Sequence, residues 1–223
     1  MASLLLFAAC KKEDNNVSKD TYEDGVSTVI YDLAGDTEAS VADGVEGKEK
    51  RPFKPFFFRF KDKQQSWDST AANRKSNSWD VAFTDVYNAL VYPNNSADAR
   101  NPGYGGVGKG RIVMVDKPYA SVTEAPTEAD LQTNDLGFVG WDGYPQPYNS
   151  GWYFYSLNTH LAIPIRNRTF VLMTADGKYA KLELLNVYKG NPPAVTDLHW
   201  PAPYFTFRYY VQEDGSRNLS TPK

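Results

Sequence analysis

The sequence predicts an all-β fold: a mainly antiparallel, sandwich- or barrel-like domain with long loops and little helix. Three observations predict it. Aromatic residues make up 14% of the 223 residues, with 15 Tyr and 5 Trp, and such residues favour pleated, half-buried strands. Short apolar or β-branched runs recur along the chain, separated by clusters of Gly, Pro, Asn and Asp. One pair of runs is joined through Asp176-Gly177, a dipeptide suited to a hairpin turn because it tolerates positive φ.

The elements follow in order. Residues 27–33 form a β-branched first strand, and 34–51 a polar loop. Residues 53–60 carry five Phe and read as a strand with a strongly apolar face, followed by a polar connection over 61–77. Residues 79–84 begin the next strand, and 88–92 continue it or pair with it. The Asn/Gly/Pro stretch 94–110 is a long loop, too polar to be core. Residues 111–115 are a short strand, and 121–131 hold one or two helical turns. Residues 138–141 and 151–155 are short aromatic segments. Residues 169–173 and 178–185 flank the Asp-Gly turn, and 204–211 alternate as a last strand. The chain shows no internal repeat.

Composition narrows the function. The net charge is -3 and the isoelectric point about 5.5, so no basic footprint suggests a nucleic-acid partner. The mean hydropathy is -0.54, and no apolar run has the length of a spanning helix. The single cysteine, Cys10, follows the apolar run Leu4–Phe7 and the small pair Ala8-Ala9, and precedes Lys11-Lys12-Glu13-Asp14. This arrangement resembles a lipobox. It implies a signal peptide over 1–10, lipidation of Cys10, a flexible tether over 11–25 and a β domain over 26–223. The charged run after Cys10 resembles the export tags of surface lipoproteins of the Bacteroidetes.

Enzyme signatures are scarce: the sequence has no phosphate-binding Gly-rich loop, no Gly-x-Ser-x-Gly elbow and no His-Glu-x-x-His. The expected function is binding, not catalysis, and no metal-chelating cluster is expected. The two histidines each have a bland reading. His160 suits a hydrogen-bonded strand start, and His199 a loop imidazole beside Trp200 and its prolines. The aromatics Trp152, Tyr153 and Tyr155 suit either cross-strand packing or stacking on a flat ligand.

Three phrases, Ser78–Thr84, Thr174–Leu185 and Tyr204–Gln212, resemble in their order and spacing the HmuY-like family of Bacteroidetes haem-binding lipoproteins. The segment Thr159–Pro164 looks like a fourth. The resemblance covers roughly residues 26–220. It implies an all-β fold and a lipid anchor at the outer membrane, with exposure at the cell surface. It implies capture of haem, free or from haem-carrying proteins, and delivery to a TonB-dependent outer-membrane receptor for iron acquisition. Family members hold haem between loops by two axial side chains, His/His or Met-containing. Imidazole and thioether are both sound haem-iron ligands. On this chain the candidates are His160, His199, Met114 and Met173, with Arg100, Lys109 and Arg111 as partners for the propionates; no metal beyond the haem iron is expected. Two other functions compete: a surface glycan-binding or adhesion lipoprotein using the same aromatics, and an accessory subunit of an outer-membrane transporter that binds no haem.

Overall fold

The computed structural model describes residues 22–43, 45, 47–143 and 150–222. Cys10, the proposed signal peptide and most of the tether lie outside the described residues. Along the chain come β1 (Thr28–Ala34), the two-residue pair β2 (Ala39–Ser40) and β3 (Glu49–Lys50), β4 (Phe56–Arg59) and β5 (Gln64–Ser66). A short helix α1 (Ala71–Lys75) precedes β6 (Val81–Thr84), β7 (Leu90–Pro93) and β8 (Arg111–Val115). The second helix α2 (Glu128–Thr133) precedes β9 (Trp141–Asp142), β10 (Tyr153–Tyr155) and β11 (Ala162–Pro164). The chain closes with β12 (Thr169–Met173), β13 (Tyr179–Asn186) and β14 (Tyr204–Val211). Among the described residues, no helix is long and apolar enough to cross a membrane.

Two sheets make the body. The larger has the order β1-β14-β13-β12-β8, and all its pairings are antiparallel. The smaller, β5-β4-β6-β7, is also antiparallel. The period-2 alternation of each strand decides which side chains meet between the sheets. From the smaller sheet come Phe56, Phe58, Val81, Phe83 and Val91; from the larger come Leu172, Leu182, Leu184, Phe205 and Phe207. The rings interlock: Phe56 stacks on Phe83 at 4.6 Å, and Phe83 meets Phe205 at 4.7 Å. The fold is therefore the expected all-β sandwich-like arrangement, with the side chains of two antiparallel sheets interdigitating between them.

Each sheet also has a covered outer face. Val113, Val171 and Met173 point away from the main core and pack under Val122, Leu131 and Leu219, which the segment before α2, α2 itself and the C-terminal tail supply. On the smaller sheet Phe57 and Ala82 are capped by Trp79. A third layer, β11-β10-β9, pairs β10 antiparallel with β11 and parallel with β9.

Two sequence expectations change, and one left open is decided. Residues 61–77 are not a bare connection: they hold β5, which pairs with the edge of β4, and α1, whose N-terminus is capped by the Thr70 hydroxyl. The stretch 94–110 is not excluded from the interior. Asn94, Asn95 and Asn101 are buried because their amides serve as substitutes for backbone partners: Asn94 Nδ2 donates to the carbonyls of Ser76 and Trp79, both at 2.9 Å, and Asn101 Nδ2 to that of Pro93 at 2.7 Å. Of the two alternatives for residues 88–92, the pairing holds: β7 folds back on β6, through a turn in which Asp85, Tyr87 and Asn88 all take positive φ.

Candidate functional site

The hairpin β10-β11 carries the candidate site. Its loop is closed twice: His160 N–H donates to the Ser156 carbonyl at 2.7 Å, and Ser156 N–H to that of Leu161 at 3.1 Å. This geometry sets His160 at φ +56°, a left-handed conformation uncommon for a non-glycine residue and often found where a side chain is held for use. The imidazole is exposed. Its Nδ1 lies 3.0 Å from the Tyr155 hydroxyl, which leaves Nε2 for another partner. Fixing one ring nitrogen so that the other is presented is how metal-binding histidines are oriented.

The surroundings have two faces. On one, Phe154 and Ile163 sit opposite each other across the hairpin and are 44% and 51% exposed; Leu157 at the tip is also exposed. On the other, Tyr87 and Tyr155 pack against the main core, in which Tyr153 and Tyr188 are buried. Burial pushes the phenols of Tyr87, Tyr153 and Tyr188 upward, so they stay neutral donors. Trp152 and Tyr153 are buried, and Trp152 Nε1 donates to the Ala89 carbonyl at 2.8 Å. For these two the packing alternative holds, and a stacking role does not.

His199 lies on the 187–203 loop between β13 and β14. It is exposed, its N–H donating to Asp197 at 2.9 Å. The root of this loop is tied to the hairpin, because the Ala162 N–H donates to the Tyr188 hydroxyl at 2.9 Å. Leu198 and Trp200, beside His199, are partly exposed. Both histidines thus stand on loops rooted at one end of the sandwich.

The other candidates lie elsewhere. Met114 and Met173 point to opposite faces of the larger sheet: Met114 leans on the main core, and Met173 is buried in the outer cluster. They cannot clasp one planar ligand between them. Arg111 is paired in register with Met173 and lies 3.5 Å from Asp135. Lys109 N–H donates to the Ala175 carbonyl, beside the Asp176-Gly177 turn. Both cations are at the far end of β13 from the histidine loops, about 23 Å away for an eight-residue strand at ~3.3 Å per residue. Arg100 forms an ion pair with Asp98 at 2.9 Å.

Sequence reasoning missed the residues that complete the histidine end. Tyr155 was read only as an aromatic, yet it holds His160. Two lysines also stand at this end: Lys48 Nζ donates to the Ala202 carbonyl at 3.2 Å, and Lys189 Nζ lies 5.1 Å from the centroid of the Tyr204 ring. No local signal marks them, since their position depends on which distant loops meet. Among the described residues, no group of three or more His, Cys, Asp or Glu is placed to hold a bare metal ion.

No protein-family model matches the chain, and no curated protein matches it. Among solved structures, it is similar to the apo HmuY analog of Tannerella forsythia, at 12% identity and a TM-score of 0.47 over 84% of this chain and 96% of that one. It is similar to a proposed HmuY-like haem-binding protein of Bacteroides vulgatus, at 14% identity and a TM-score of 0.40 over 82% and 90%. A proposed lipoprotein of Bacteroides fragilis is similar at 14% identity and a TM-score of 0.34 over 70% and 80%.

Proposed function

We propose that this chain captures haem at the cell surface, held there by a lipid on Cys10, and passes it to a TonB-dependent outer-membrane receptor. The observation that carries the reading is the Tyr155–His160 pair: an exposed imidazole in a closed loop, its Nδ1 held at 3.0 Å, beside the exposed apolar pair Phe154 and Ile163. A porphyrin needs an axial donor and an apolar wall together, and this hairpin offers both. His160 Nε2 is the first axial ligand in this reading, and His199, on the neighbouring loop, the second. Lys48 and Lys189 are the cations for the propionates, in place of the distant Lys109 and Arg111. Among the phrases that resemble the HmuY-like family, the segment Thr159–Pro164 contains His160 and supports the same reading.

Haem titration of the full-length, unlipidated chain tests it. The expected result is a saturable Soret shift at one equivalent, with a low-spin spectrum that His160→Ala converts or abolishes while the chain stays folded. A spectrum that never departs from that of free haem, in either redox state, overturns it.

A further inference from the structure

A second site lies away from the histidines, on the outer face of the smaller sheet. A cleft of about 460 Å³ runs between α1 and the turn at residues 100–104. Phe57 and Thr84 line its floor. Arg74 and Lys75, in the last turn of α1, line one wall, and Arg100 and Tyr104 the other. The residues around it include three cations and one carboxylate, Asp85, which is engaged with the Val86 N–H. No imidazole or thioether lines the cleft, so it lacks an axial ligand for haem iron.

The walls are built rigidly. Trp79, itself buried, donates its Nε1 proton to the carbonyls of Asn73 and Arg74 at 3.1 and 3.3 Å and so pins the end of α1. Val107 N–H donates to the Lys75 carbonyl at 3.1 Å, which ties the two walls together. Gly106 permits that approach: a Cβ there would lie 2.5 Å from the Lys75 carbonyl oxygen. Asn101, buried, holds the opposite turn by accepting from Gly103 N–H at 2.9 Å and donating to the Pro93 carbonyl. The backbone that carries these side chains therefore needs no ordering when a ligand arrives.

We propose that this cleft binds an acidic sugar, a hexuronate residue of a glycan chain. Arg74 and Lys75 supply charge-assisted donors for a carboxylate. The Tyr104 ring, 53% exposed, supplies a flat face for a pyranose, and Ser69 and Thr84, also on the lining, supply hydroxyl partners. Arg100 is ion-paired with Asp98, which leaves Arg74 and Lys75, among the described residues, as the free cations of the lining, so the cleft suits a singly charged sugar better than a dense polyphosphate. This proposal does not depend on haem binding.

Calorimetric titration of the full-length chain with trigalacturonate, neutral galactotriose and inorganic tripolyphosphate tests it. Trigalacturonate should bind saturably, and at least about tenfold more tightly than galactotriose, which is the loss expected for one charge-assisted hydrogen bond. The exposed-residue variants R74Q/K75Q and Y104A should each weaken it at least about tenfold, with unchanged unfolding midpoints; H160A should leave it unchanged. Absence of saturable trigalacturonate binding, equal binding of galactotriose, or full affinity in R74Q/K75Q each overturns the proposal. Equal or tighter binding of tripolyphosphate reduces the cleft to an unspecific cationic patch and overturns it too.

Discussion

The carboxylate of Asp80 accepts the backbone N–H of Ala175 at 3.1 Å through one oxygen, and that of Phe60 at 2.8 Å through the other. The Phe60 carbonyl in turn accepts the hydroxyl of Tyr209 at 2.7 Å. One buried acid thus clasps the two sheets where the Asp176-Gly177 hairpin meets the end of β4. Burial raises the Asp80 pKa, and the two N–H donors oppose that rise. Asp80→Asn replaces one acceptor oxygen with a donor, so one N–H faces another N–H. The expected cost is about 2–4 kcal/mol, read as a lowered urea midpoint at unchanged slope. An unchanged midpoint would show that the clasp carries no stability.

Asn94 makes a second, independent demand. Its Nδ2 satisfies the carbonyls of Ser76 and Trp79 inside the protein, and the packing leaves no room beside it, since a Cβ on Gly110 would lie 2.6 Å from the Asn94 carbonyl oxygen. Asn94→Ala should cost about 2–4 kcal/mol, mostly from the two orphaned carbonyls. The outcome is visible in thermal unfolding; a loss within about 0.5 kcal/mol, the range of ordinary surface substitutions, would place the loop among the tolerant surface segments.

These two residues also show what was legible in the sequence. Strands such as β13 and β14 could be placed because side-chain type alternates with a period of two, Leu182 and Leu184 against Lys181 and Glu183 in β13, and Phe205 and Phe207 against Thr206 and Arg208 in β14. The phrases that carried the family resemblance, around Trp79-Asp80, Thr174-Ala175 and Tyr209, prove to be the clasp itself. They report the fold, and say little about a ligand. The buried asparagines could not be read, because a polar residue enters a core only when distant carbonyls need it, and those partners are fixed by tertiary structure. The same holds for the site. His160 was noticed as a residue type, but its holder Tyr155 and the lysines at its end are assembled from separate loops. The sequence order placed Lys109 and Arg111 near a Gly-rich loop, and the strand register then carried that loop to the opposite end.

Lys181 gives a pH prediction. It is fully buried on the outer face of β13, where its ammonium donates to the carbonyls of Tyr119 and Val122, both at 3.1 Å, and to the Thr221 hydroxyl at 3.0 Å. It also lies 4.3 Å from the centroid of the Tyr119 ring. Burial pulls its pKa down to about 8, opposed by the nearby carboxylates of Asp24 and Glu183, while Arg208 adds to the fall. Between about pH 8 and the ordinary lysine value of 10.5, the unfolded chain binds the extra proton. The contribution of this residue to stability therefore rises with pH across that window, by an amount on the order of 2 kcal/mol. Buried phenols act the other way above pH 10: Tyr209 is raised to about 12, so the folded state resists their ionisation. Comparing Lys181→Met with the parent at pH 7.5, 9 and 10 cancels that background. The parent should gain stability relative to the variant as pH rises, and a constant difference would mean that Lys181 keeps its proton throughout.

The last prediction separates holding from binding at the hairpin. If His160 Nε2 ligates haem iron, the Tyr155 hydroxyl 3.0 Å from Nδ1 fixes the ring plane and the tautomer. Tyr155→Phe keeps the apolar ring and removes only that hydroxyl. The hairpin pairing of Tyr155 with Ala162 does not use the hydroxyl, so the fold should survive. Haem affinity should fall by about 10- to 100-fold, the usual effect of losing a partner behind a metal ligand, while the absorption spectrum of the saturated complex stays of the same ligand type. His160→Ala should change the spectrum itself. A Tyr155→Phe variant whose haem affinity equals the parent's would show that the hydroxyl serves the hairpin alone. Lost affinity with a changed ligand type would instead move the iron from the imidazole to the phenol.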